Sequence, residues 1–146
     1  MKTLEFTIEI NALASTIWTM LWDDENYRNW TGFFCEGSYA VSNWNEGDSV
    51  HFLTPSGEGM YSVIDKKIDN QYLAFKHLGE IKNFKEQPPN EATYIWSGSM
   101  ETYELTPNGD SITLKAKVDT LEQYVDYFES TFPKGLERVK ELSEKN

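Results

Sequence analysis

A net charge of −11 over 146 residues argues against a nucleic-acid partner. Displacing counterions from phosphate takes clustered Lys and Arg, and the densest basic pair is Lys66-Lys67. One cysteine, Cys35, excludes an intrachain disulfide, and one Cys with two His leaves a Cys/His structural metal site without its ligands, so no metal and no cofactor is expected.

Along the chain, "MKTLEFTIEI" sets Leu4, Phe6, Ile8 and Ile10 in alternation with Thr3, Glu5, Thr7 and Glu9, which predicts a half-buried strand. Glu5 and Glu9 rule it out as a signal-peptide core. No later run is apolar enough for membrane insertion, and a cytoplasmic location is expected. "NALASTIWTMLWDD" has Ile17, Trp18 and Leu21 at helical spacing, with Asn11 or Ser15 as candidate cap. "DENYRNWTGFF" predicts a second short helix, with Tyr27 and Trp30 three apart and Gly32 as its breaker.

A series of strands follows, punctuated by turns. The runs are "EGSYAVSNW", "SVHFLT", "MYSVIDKKI" and "YLAFKHLGEI", then the irregular "KNFKEQPPNEA", then "TYIWSGSMETYEL" and "SITLKAKV". Asn108-Gly109 between the last two carries the signature of a tight hairpin. In "SITLKAKV" the residues Ile112, Leu114, Ala116 and Val118 share one face. From about Asp119 onward the sequence predicts one long helix, with Leu121, Tyr124, Val125, Phe128, Phe132, Leu136, Val139 and Leu142 as its apolar stripe. Asp119 or Thr120 is the expected cap, and Pro133 is expected to kink it.

The order is strand, two short helices, about six strands, long helix, and tightly connected strands pair antiparallel. This order resembles the START/Bet v-type (SRPBCC) superfamily, and within it the activator-of-Hsp-ninety-ATPase homologues. The phrases that carry the resemblance are "IEINALASTIWTML", "YRNWT", "EGDSVHFL", "YLAFKHLGEI", "WSGSMETYEL" and "FPKGLERVKELSE", which together span nearly the whole sequence. It implies an α+β helix-grip fold over residues 1–146 as a single domain. A curved antiparallel sheet of six to seven strands would wrap a long C-terminal helix around an internal cavity. Members of the superfamily include lipid and hormone carriers, cyclases and co-chaperone domains. Eukaryotic activators of this type carry a separate N-terminal domain that engages the chaperone. This sequence begins at the first strand, which makes a chaperone partner doubtful.

The candidate site residues follow from strand alternation. His77 shares a face with Leu73 and Phe75, and a buried imidazole is either a satisfied structural group or a polar contact for a ligand. Glu101 shares a face with Tyr103 if its strand is regular, and an inward carboxylate needs a partner. His77 is the obvious one. Gly98 can mark a bulge that switches faces, and the alternative inward set is then Trp96, Gly98 and Met100. His77, Glu101 and Tyr103 are the only acid–base candidates. The expected cavity lining is Trp18, Trp30, Phe34, Phe52, Phe75, His77, Trp96, Glu101, Tyr103, Phe128 and Phe132, with Phe52 inward and His51 outward. Cys35 has no neighbouring base and no nucleophile motif. The chain is expected to bind a small apolar or amphipathic ligand, as a monomer or homodimer. A cyclase- or hydrolase-like enzyme and a chaperone-interacting protein are the alternatives.

Overall fold

The computed structural model describes residues 1–145. Strand β1 (Lys2–Ile10) leads into helices α1 (Ala14–Trp22) and α2 (Asp24–Thr31). Strands β2 (Tyr39–Ser42), β3 (Ser49–Leu53), β4 (Gly59–Ile68), β5 (Tyr72–Lys82) and β6 (Lys85–Glu86) follow. A short helix α3 (Glu91–Tyr94) precedes β7 (Met100–Asn108) and β8 (Ser111–Thr120). A 3-10 turn at Glu122–Tyr124 then opens the long helix α4 (Val125–Glu144).

All strand pairs are antiparallel, in the order β1-β8-β7-β5-β4-β3-β2, with β6 folded back onto β5. The fold is the expected helix grip. Alternation in β8 buries Leu114, Ala116 and Val118 on the inner face. The α4 stripe buries Phe132, Leu136 and Val139 against that side. Phe6 of β1 stacks on Phe132 with ring centres 4.8 Å apart. Gly135 lets α2 approach α4, because a Cβ there would lie 3.1 Å from the Phe34 ring and 3.3 Å from Trp30. Among the described residues no helix is long and apolar enough to cross a membrane.

Local details depart from the sequence reading. "TYIWSGSMETYEL" is not one strand. Asn90 and Thr93 close a capping box that winds α3, and the chain turns through Gly98 at φ 92° before β7 begins at Met100. Neither Asn11 nor Ser15 caps α1. Leu13 occupies that position without a side-chain bond, while the Asn11 amide donates to Glu144 at the far end of α4. Asp119 and Thr120 do not cap α4 either. Pairing with Thr3 and Lys2 extends β8 through both, and Asp119 accepts from the Met100 amide and the Thr3 hydroxyl instead. Pro133 does not interrupt α4. It lies on the solvent side, where the carbonyl it leaves unpaired, that of exposed Glu129, is reached by water.

At one position of the sheet the neighbouring backbone leaves no room for a side chain. A Cβ on Gly59 would fall 1.8 Å from the Phe52 carbonyl oxygen on β3. Gly59→Ala is expected to destabilise the fold by about 1–3 kcal/mol, the usual cost of overpacking, read as a lower denaturation midpoint in urea. An unchanged midpoint would mean that β3 and β4 part at no cost.

Candidate functional site

Three adjacent strands bring polar groups to one spot on the concave face. On β5, Leu73, Phe75 and His77 all point inward and are buried. Register then fixes their neighbours. Phe75 lies opposite Glu101 and Leu73 opposite Tyr103 on β7, while His77 lies opposite Ser62 on β4. Beyond Met100 the sheet pairing gives way to the turn. The His77 amide donates to the Ser99 carbonyl at 2.8 Å, and the Gly98 amide donates to the His77 carbonyl at 2.7 Å. Gly98 therefore does not send Glu101 outward. Met100 takes the outer face with Thr102 and Glu104.

These residues form a continuous hydrogen-bonded chain. Ser62 Oγ lies 2.6 Å from His77 Nδ1, and His77 Nε2 lies 3.0 Å from Glu101 Oε1. The Tyr103 hydroxyl donates to Glu101 Oε2 at 2.5 Å. Both ring nitrogens and both carboxylate oxygens are thus engaged. Ser62 itself does not line the hollow described below, so its hydroxyl orients the ring from behind.

The electrostatics follow from this geometry. Burial pushes the Glu101 carboxyl up, but the hydrogen bond and charge of His77, with the Tyr103 hydroxyl, outweigh it and hold the carboxyl below its ordinary value. Burial, and then the Glu101 charge, push the Tyr103 phenol well above its ordinary range. Tyr27 is raised for the same two reasons. Both phenols stay protonated donors at neutral pH, and Glu101 stays ionised.

The cluster opens on a hollow of about 550 Å³ between sheet and helices. Tyr27, Trp30 and Phe34 line it from α2 and its end, Phe52 from β3, and Tyr127, Phe128 and Phe132 from α4. Trp96 reaches it from the turn before β7, although its strand reading fails. Nine residues of the expected lining therefore stand around one space: Trp30, Phe34, Phe52, His77, Trp96, Glu101, Tyr103, Phe128 and Phe132.

Two do not. Trp18 lies on α1 against Trp22, away from the hollow. Phe75 is wholly covered by Trp22, Trp44, Phe52 and Tyr103, so its ring is core rather than wall. His51 faces out, 2.7 Å from Glu86, and Phe52 faces in beside His77. The sequence reading missed Tyr27, Tyr39, Glu80, Asp119 and Tyr127 in the lining. Tyr27 was visible as a helix neighbour of Trp30. Asp119, Glu80 and Tyr39 carried no signal, because only the curvature of the sheet brings its ends around the space. Cys35 is exposed and, among the described residues, has no basic partner.

Known structures share this architecture. The Aha1 dimer from Colwellia psychrerythraea superposes with a TM-score of 0.72 at 17% identity, over 99% of this chain and 97% of that one. A protein of Mesorhizobium loti gives 0.75 at 13% identity, over 99% and 98%. One from Cytophaga hutchinsonii gives 0.69 at 18% identity, over 99% and 95%. No family model and no curated protein matches the sequence. At these identities the likeness shows the fold, and the same fold hosts unrelated functions.

The hydrogen-bonded chain makes stability depend on pH. A depressed carboxyl stabilises the fold fully above its unfolded value, about 4.3, and that contribution is lost as the pH falls through the lower folded value. His77→Leu leaves Glu101 with burial opposed by Tyr103 alone. The expected result is a loss of about 1–3 kcal/mol near neutral pH, the cost of an unpaired buried polar group. The acid limb of the stability profile is also expected to move to higher pH. Urea unfolding from pH 3 to 7 reads both effects. An acid limb that stays in place would mean that His77 does not hold the carboxylate.

Proposed function

We propose that this protein binds a small apolar or amphipathic ligand in the hollow between sheet and helices, with the His77–Glu101–Tyr103 cluster as its polar anchor. One observation carries the reading: the hollow has aromatic walls and a single buried hydrogen-bonded cluster in its floor. Its volume lies in the range of small-molecule sites, which are mostly apolar with a few convergent polar groups. A core that only needed filling would gain nothing from a carboxylate, which costs free energy to bury.

A second reading rests on the same cluster. A carboxylate between an imidazole and a phenol can move protons, so Glu101 with His77 is the acid–base pair if a reaction occurs here. Substitution of either would then abolish turnover even at temperatures well below the variant's lowered melting point, where the protein is still folded. A chaperone partner has only the likeness to Aha1 in its favour, and a self-associated form has as precedent that the Colwellia protein is a dimer.

The carrier reading is tested by native mass spectrometry of protein purified gently from its own host, compared with the denatured mass. A reproducible extra mass that vanishes on unfolding is expected. Binding of the uncharged fluorophore N-phenyl-1-naphthylamine is expected as well, read as a rise in its emission as it leaves water. A bare chain mass together with no fluorophore binding would sink the reading.

A further inference from the structure

Two carboxylates, Glu80 and Glu101, face the hollow, and among the described residues no Lys or Arg lines it. Asp119 also borders it, but its carboxylate is held on the outer face by the Thr3 hydroxyl and the Met100 amide. Two cations that touch lining residues are turned to other work. Arg28 pairs with Asp24 and lies over the Tyr39 ring, and Lys82 reaches Glu80 at 3.6 Å from an exposed position. The one group in the hollow able to carry a positive charge is His77, and both its nitrogens are taken, by Ser62 and Glu101.

An anionic ligand such as a fatty-acid carboxylate would therefore enter with no Lys or Arg to meet it, the one imidazole already bonded on both nitrogens, and would face Glu101. That is a desolvated like-charge contact, which is strongly unfavourable. A cation meets the reverse conditions. Tyr27, Trp30, Phe52 and Trp96 border the same space as Glu101. Aromatic faces attract ammonium groups, most strongly where water is excluded. Each oxygen of a carboxylate also has a second lone pair free after one hydrogen bond.

We infer that the occupant of the hollow is an organic cation, an amine or quaternary ammonium joined to an apolar body, with its charge beside Glu101 and its body along the aromatic walls. The inference rests on the proposed binding role. It adds the ligand's charge, which a merely apolar cavity would leave open.

The test is a matched series competing with bound N-phenyl-1-naphthylamine: naphthylmethylammonium, naphthylmethanol and naphthylacetate. These share one ring system and differ in charge. The ammonium is expected to bind at least about tenfold more tightly than the alcohol, and naphthylacetate least of all. In Glu101→Gln, shown to be folded by its melting curve, the ammonium is expected to fall to the alcohol's affinity while the alcohol is little changed. If that variant does not fold, Glu80→Gln at the partly exposed rim and the salt dependence of the wild-type series take its place. The ammonium's advantage should then shrink in both.

Equal binding of ammonium and alcohol, or tightest binding of naphthylacetate, overturns the cation and leaves the binding role standing. Absence of binding by the fluorophore and all three competitors removes the binding role, and the inference with it.

Discussion

A carboxylate set among aromatic rings has to be held, and the way Glu101 is held organises the centre of this sheet. Its two oxygens reach β5 through His77 and its own strand through Tyr103, and His77 passes the constraint to Ser62 on β4. Each member depends on register. A shift of β7 by one residue would place Thr102 where Glu101 stands and leave the imidazole facing a wall of rings. The cost of an unsatisfied buried charge thus penalises every alternative pairing of the three strands.

The turn before β7 serves the same end. His77 is the first inward position of β5 beyond the end of its ladder with β7. Its backbone is secured by Gly98 and Ser99 rather than by a ladder residue. Gly98 takes a positive φ there with open space around it, so the chain can reverse and still present both backbone groups to His77. The same reversal swings Trp96 over the hollow. One glycine therefore links the hold on the cluster to the shape of the space above it.

The rings divide into two sets. Trp22 is the hub of the first, touching Trp18, Tyr27, Trp30, Trp44, Phe75 and Tyr103. Phe34, Phe128 and Phe132 form the second around the start of α4. Trp30 joins the two through Phe34, with ring centres 6.1 Å apart, and the space that remains beside them lies against Glu101. Close packing is the rule for protein interiors, and a gap of this size forfeits dispersion contacts. Its persistence next to a carboxylate is why the site is read as a binding place rather than a packing fault.

The sequence by itself determined the elements and their faces. Alternation placed Leu73, Phe75 and His77 together on one side of β5 and Glu101 with Tyr103 on β7, and the α4 stripe marked Phe128 and Phe132. These are periodic signals, and each is local. What only the tertiary structure decided is everything that depends on strands meeting. Register set His77 beside Glu101, and Ser62 behind them both gave no hint in its own segment. Curvature took Phe75 into the core and left Phe52 on the wall, though both are inward rings on inward faces. The winding of residues 91–94 into a helix turned on one side-chain pair, Asn90 and Thr93, competing with a run that otherwise alternates like a strand. The charge in the hollow needed Glu80 from β5 and Glu101 from β7, which stand apart in sequence and come together only through the tertiary structure.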